Sequence, residues 1–352
     1  MPRPLPDILP IHWPAGAALP PADTEAALDR AARLLVEGGL VAIPTETVYG
    51  LAARADDPEA VGRIFAAKGR PSSNPLIVHV AHEAMARSLA AAWPDAAARI
   101  TAQLWPGPVT VVVPRGETIP DEVTAGGATV ALRCPEHPLT RRLIEKAGVP
   151  LAAPSANRSL AVSPTTAAHV LESLGNRIDL ILDGGPCSRG IESTVVDCTS
   201  SPPRILRPGP VGREQLEAAI GERFAATAAS HGDASASVVR SPGMLARHYS
   251  PKTPLVLACD AAPRVAALLA SGKRVGWLTM ASEAPETRRL AVSRDLLVIP
   301  MPANPDAFAA QLYATLHALD KRELATIVVD EPPANDAWRA VRDRLTRAAT
   351  VG

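Results

Sequence analysis

The stretch LVAIPTETVYGLAA, residues 40–53, decides the reading of the fold. Its first half, LVAIPT (40–45), is a short apolar run with branched side chains, and reads as a buried strand. Its second half sets three hydroxyls (Thr45, Thr47, Tyr49) and one carboxylate (Glu46) in a turn whose Gly50 permits tight backbone. Open α/β sheets form ligand crevices at strand ends of this kind, although a turn that satisfies its own backbone gives the same spelling.

Upstream, Asp23 can cap a helix that runs to about Glu37 and stops at Gly38 and Gly39. Residues 1–22 hold seven prolines and no periodicity, and read as an extended tail. Downstream, helices at 58–67, 83–92, 95–104, 138–147 and 164–174 are interspersed with the strands LIVHV (76–80), VTVVVP (109–114), TVALRCP (129–135), LILD (180–183), STVVDC (193–198) and RILRP (204–208). The last two strands follow each other without a helix, so the sheet is expected to be mixed rather than purely parallel. Residues 225–240 are small and polar and read as a linker. After them PLVLAC (254–259), RVGWLTM (274–280), LLVIP (296–300) and TIVVD (325–330) alternate with helices at about 261–271, 305–319 and from 335. That pattern implies a smaller, Rossmann-like parallel α/β domain. No G-x-G-x-x-G opens it, so it carries no dinucleotide fingerprint. The expected division is a tail (1–22), a first α/β domain (23–215), a linker or lid (216–252) and a C-terminal domain (253–352).

Composition narrows the function. The 352 residues carry 36 Lys plus Arg against 36 Asp plus Glu, which argues against a coat for nucleic acid, since that needs a basic excess. Cys134, Cys187, Cys198 and Cys259 show neither zinc-ligand spacing nor a disulfide framework. No run approaches the ~18 apolar residues of a membrane span, and the first residues lack a signal-peptide core; a cytoplasmic protein is expected. Only five positive charges are lysines, so Lys68 at a helix end draws attention as a position where an ammonium is needed.

Several segments carry polar groups at element ends. In AKGRPSSNPLIVHV (67–80), Lys68 and Arg70 could complement the helix dipole, or could bind an anion as a point charge and a fork. His79 lies inside the apolar strand that follows. Arg133 ends another apolar strand, where a guanidinium needs an anionic partner: a structural Asp or Glu, or a substrate carboxylate. Ser155 and Asn157 follow the apolar PLAA run, and Thr165 opens a helix; small polar residues there suit phosphate, ribose or carboxylate. Ser193 starts a strand, Arg207 ends one, and His248 and Tyr249 stand in SPGMLARHYSP (241–251) directly after the linker. No P-loop and no G-x-S-x-G is present.

Taken in order, PTETVYGL, KGRPSSNPLIVHV, LWPGPVTVVV, LRCP, PSAN, STVVD and RPG resemble the threonylcarbamoyl-AMP synthase family, the YrdC-type enzymes. SPGMLARHYSP and the tail domain resemble the family's long, two-domain form. Ala52 departs from the Gly that the family often has in its VYGLG run. The resemblance implies a YrdC-like twisted mixed sheet and a reaction joining L-threonine, bicarbonate and ATP into threonylcarbamoyl-adenylate and pyrophosphate. The product would pass to the tRNA threonylcarbamoyltransferase machinery, with a tRNA contact and no membrane partner. By resemblance, Thr45, His79, Arg133, Ser155 and Ser193 would hold threonine. Lys68, Arg70, Asn74, Thr129, Asn157, Thr165, Arg207 and His248 would hold ATP, whose phosphates would bring Mg²⁺. Lys68, Arg70, His248 and Tyr249 would act in catalysis, the last two closing from the linker. The competing readings are an RNA-binding or nucleotide-binding module without synthase activity. A hydrogenase-maturation carbamoyltransferase would need CxxC pairs that the chain lacks.

Overall fold

Short apolar strands build both sheets of this protein, alternating between two core clusters in the larger and running continuously apolar in the smaller, as in LVLA (255–258). The computed structural model describes residues 4–13, 19–225 and 249–349. The chain forms two units: Met1–Ser159, Pro164–Ser188 and Glu192–Met244 make the first, and Leu160–Ser163, Arg189–Ile191 and Leu245–Gly352 the second.

The first unit holds a mixed ten-stranded sheet. Its strands are β1 (Asp7–Pro10), β2 (Val41–Ile43), β3 (Gly50–Arg54), β4 (Ile77–His79), β5 (Val109–Pro114), β6 (Thr129–Arg133), β7 (Leu151–Ala152), β8 (Leu180–Asp183), β9 (Thr194–Asp197) and β10 (Arg204–Arg207). Across the sheet they run β1-β8-β2-β3-β7-β4-β6-β5-β9-β10. The segment read as a tail thus contributes an edge strand, pairing in parallel with β8 from Asp7↔Leu180 to Pro10↔Asp183. The helices are α1 (Ala22–Val36), α2 (Pro58–Lys68), α3 (Glu83–Ser88), α4 (Asp95–Leu104), α5 (Asp121–Thr124), α6 (Pro138–Ala147), α7 (Ala167–Leu174) and α8 (Arg213–Ile220). At the start of α1, Pro21 occupies the cap position and Asp23 falls inside the first turn, where a carboxylate still complements the helix dipole.

The strand alternation divides the core. Leu51, Ile64, Val78, Val111, Leu132 and Val196 belong to the large cluster on one face. Val41, Ile43, Leu151 and Leu180 point to the other, where they meet Leu28 and Leu35 of α1 and Leu143 and Ile144 of α6. Helix α2 is placed by strong end signals: Pro58 in its first turn, Asp57 Oδ1 accepting from the Glu59 and Ala60 amides, and Gly69 beyond its end in the left-handed region at φ 60°. These signals deliver Lys68 at the last helical position.

The second unit holds a parallel sheet in the order β11-β14-β12-β13, with β11 (Leu255–Ala258), β12 (Val275–Thr279), β13 (Leu296–Pro300) and β14 (Thr326–Asp330). Its helices are α9 (Ala261–Ala270), α10 (Pro285–Leu290), α11 (Pro305–Leu319) and α12 (Arg339–Ala348). Phe308, Leu312, Leu316 and Leu319 form the buried stripe of α11, as their spacing predicts. Among the described residues, no helix is long and apolar enough to cross a membrane.

Asp57→Ala removes the cap of α2 and should lower the stability of the first unit by about 1 kcal/mol. A urea midpoint indistinguishable from wild type would show that Pro58 and packing alone place the helix.

Candidate functional site

The pairings Ile77↔Ala131, His79↔Arg133, Val112↔Ala131 and Thr110↔Val195 put these residues on one face of the sheet. Ile77, Val112, Ala131 and Val195 form a small apolar cluster there, opposite the large core. Period two places Thr129, Arg133, His79 and Thr110 on that same face, and Ser193 continues it from the residue before β9. The polar residues singled out in the sequence therefore converge where the sheet carries little apolar cover.

Arg133 is the centre of this polar face. Its Nη2 donates to Glu46 Oε1 at 2.6 Å, and both side chains are 4% exposed. Glu46 Oε2 accepts from the Glu136 amide at 3.1 Å, so both carboxylate oxygens are engaged. The ion pair ties the turn after β2 to the end of β6. In that turn Thr45 Oγ1 donates to the Val48 carbonyl at 2.6 Å and lies 2.8 Å from Thr47 Oγ1. Tyr49 closes the turn, its hydroxyl donating to the Gly185 carbonyl at 2.8 Å; burial pushes that phenol above its ordinary range.

His79 is buried beside Arg133. Desolvation, and then the neighbouring guanidinium, pull its imidazole from 6.5 to about 3, so the ring is neutral at neutral pH. Its Nδ1 is buried and has no hydrogen-bond partner among the described residues. Ser193 Oγ lies 2.8 Å from Thr110 Oγ1 and accepts from Arg207 Nη2 at 3.1 Å. Arg207 also donates to the Ser193 carbonyl from both Nε and Nη2.

A second group lies around the end of α2. Lys68 Nζ donates to the carbonyl oxygens of Ser155 and Asn157, each at 2.5 Å. Burial, and then the charge of Arg70, push this ammonium well below its ordinary value. Arg70 donates to the carbonyls of Asn74 and Pro75, and Asn74 Oδ1 is buried without a partner among the described residues. The two groups share one backbone frame. The Ala156 amide donates to the Tyr49 carbonyl at 2.8 Å, and the Tyr49 amide to the Pro164 carbonyl at 2.9 Å. Thr165 follows directly, buried, with Oγ1 3.4 Å from His169 Nδ1. Thr129 is half-buried at the head of β6, and Asn157 is buried.

Tyr249 belongs to the second unit, where its ring is buried and stacks on Tyr313 at 5.8 Å. His248 lies outside the described residues, as does most of the linker read at 225–240. The sequence placed Glu46 in this turn without assigning it a partner, and it did not single out Thr110. Glu46 had a signal: a carboxylate in an otherwise uncharged turn, in a chain whose buried arginine needs a partner. Burial pushes the Cys187 thiol up to about 12 and the Cys134 thiol up to about 11, so neither supplies a thiolate.

Residues 33–209 match the Sua5, YciO and YrdC family model, described as telomere recombination, and residues 211–350 match the C-terminal domain model of threonylcarbamoyl-AMP synthase. The chain is 41% identical over 327 residues to a threonylcarbamoyl-AMP synthase of Bacillus subtilis, covering 91% of this chain and 92% of that protein. A Pyrococcus abyssi protein of the same name is 38% identical, covering 91% and 93%. The solved structure of P. abyssi Sua5 complexed with L-threonine superposes with a TM-score of 0.85 at 35% identity, covering 97% of each chain.

Glu46→Ala leaves Arg133 buried without its carboxylate and should cost roughly 3–5 kcal/mol in urea unfolding. A loss near zero would mean that the guanidinium finds another anion. His79 gives a pH signature. The unfolded imidazole titrates near 6.5 and the folded one near 3, so the unfolded chain takes the proton first and stability falls as the pH drops through that window. His79→Gln should flatten this acid limb. An unchanged limb would assign the acid sensitivity to other groups.

Proposed function

The chain belongs to the threonylcarbamoyl-AMP synthase family in its long, two-domain form, a family of nucleotidyl-transferring enzymes, and from that premise we propose how its first unit works. It joins L-threonine, bicarbonate and ATP into threonylcarbamoyl-adenylate and releases pyrophosphate. The observation that supports this most is the convergence of Arg133, His79 and Ser193 on one sheet face, tied through Glu46 to the turn that holds Thr45 and sharing a backbone frame with Lys68 and Arg70.

Threonine brings a carboxylate, a hydroxyl and an amine. Arg133 supplies the cationic fork, already oriented by Glu46; Thr45, Ser155 and Ser193 supply hydroxyls, and neutral His79 an acceptor nitrogen. Bicarbonate condenses with the amine to give a carbamate and water. A carbamate oxygen then attacks the α-phosphorus, the bond to the bridging oxygen of the β-phosphate breaks, and pyrophosphate leaves. Such a transfer requires positioning and charge neutralisation rather than a covalent nucleophile. Lys68, Arg70 and Arg207 face the phosphates in this reading, with Asn74, Thr129, Asn157 and Thr165 on the nucleotide. Both oxygens of Glu46 are engaged by Arg133 and the Glu136 amide, and in this reading Mg²⁺ enters as the counter-ion of ATP. The adenylate is then handed, in the cytoplasm, to the tRNA threonylcarbamoyltransferase machinery. His248 closes over the carbamate from the linker and limits its contact with water.

Pyrophosphate release from ATP should require both threonine and bicarbonate. Equal release with either omitted overturns the assignment. Arg133→Ala should weaken threonine binding about tenfold or more while ATP binding changes less, because the fork serves the smaller substrate. Lys68 offers a separate check. Burial and the neighbouring Arg70 destabilise its ammonium, which a polyanion would relieve, so Lys68→Ala should weaken ATP binding and leave the fold intact. Normal ATP binding by the folded variant would remove Lys68 from the phosphates.

A further inference from the structure

Helix α11 has two working faces. Phe308, Leu312, Leu316 and Leu319 fill the core of the second unit, and Ala310, Tyr313 and His317, three and seven residues apart, lie on the opposite side. Three pieces of chain meet that second side. A Cβ on Gly190 would come within 2.5 Å of the Ala309 carbonyl oxygen and of Ala310 Cα, and Gly190 sits at φ 72°, so backbone lies directly on backbone. The Tyr249 ring stacks on Tyr313 at 27°, with the buried Arg344 guanidinium 5.2 Å from its centre. His317 Nε2 donates to the Ser163 carbonyl at 3.1 Å. Ser250, next to Tyr249, adds a backbone bond to Leu160, from its amide to that carbonyl at 2.9 Å.

Each piece stops one or two residues short of a side chain singled out above. Ser163 precedes Thr165 by two, Ile191 precedes Ser193 by two, and Tyr249 follows His248. We infer that α11 is a clamp that fixes the approach of two substrate-bearing stretches, those that carry Thr165 and Ser193, and that Gly190 and His317 are positioning residues for them. The second unit then tunes the nucleotide side through His317 and Ser163, and the threonine side through Gly190, without contributing a group to the chemistry. The inference rests on the functional reading above for the identity of the ligands, but not for the clamp itself.

The test uses the full chain and the variants His317→Ala, His317→Gln and Gly190→Ala. Amide exchange is followed without ligand over 165–170 and 192–197, and ATP and threonine affinities are then measured by calorimetry. His317→Ala should speed exchange over 165–170 and weaken ATP binding about fivefold, with threonine affinity changed less. His317→Gln, which keeps an N–H donor, should restore both. Gly190→Ala should act in the reverse sense, on 192–197 and on threonine. Unchanged exchange in His317→Ala, or both affinities falling together with no rescue by Gln, overturns the clamp. If Gly190→Ala does not fold, the two His317 variants decide. A wild-type chain that binds neither ligand refutes the functional reading alone, and the clamp then stands or falls on the exchange data.

Discussion

The alternation of the central strands is the constraint on which the rest depends. A slip of one residue in β4 or β6 would carry His79 and Arg133 into the large core and turn Val78 and Leu132 onto the polar face. The apolar residues therefore hold the register, and the register holds the site. The same period explains why the polar residues gather at one half of a face. Helices α1 and α6 cover the other half, and the small cluster of Ile77, Val112, Ala131 and Val195 lies among the polar residues.

Charge is arranged on this frame in two ways. Arg133 meets a carboxylate, so the pair is close to neutral and its cost of burial is limited. Lys68, Arg70 and Arg207 donate to backbone carbonyls, which orient a cation without cancelling its charge. Burial, and then the charge of Arg70, depress the Lys68 ammonium, a cation that an incoming polyanion would stabilise.

Much of this was legible in the sequence, and the limits are physical. Strand positions followed from β-branched runs and their period. Gly38, Gly39 and Gly69 marked helix ends because they offer left-handed or unhindered backbone, and Lys68 stood out through its rarity in an arginine-rich chain. What escaped depends on long-range contacts. The partner of Arg133 lies 87 residues away, and both a structural carboxylate and a substrate were open until the fold brought Glu46 to it. Strand β7 did not escape, since the apolar run before Ser155 reads as a strand, although two residues are too few for a period to show. The proline-rich opening of the chain concealed β1, because an edge strand needs only one side of its hydrogen bonds satisfied. Nothing local in Leu160–Ser163 or Arg189–Ile191 says that these residues join the second unit.

The order of strands in the larger sheet carries a consequence for biosynthesis. Strand β1 lies beside β8, β2 lies between β8 and β3, and β5 lies between β6 and β9. A ribosome that has released the first hundred residues has therefore exposed β1, β2, β3 and β4 while withholding β5 to β8. The nascent chain must wait, with an apolar edge uncovered, until β8 and β9 emerge. Such non-local pairing makes for slow folding and for dependence on chaperones during synthesis.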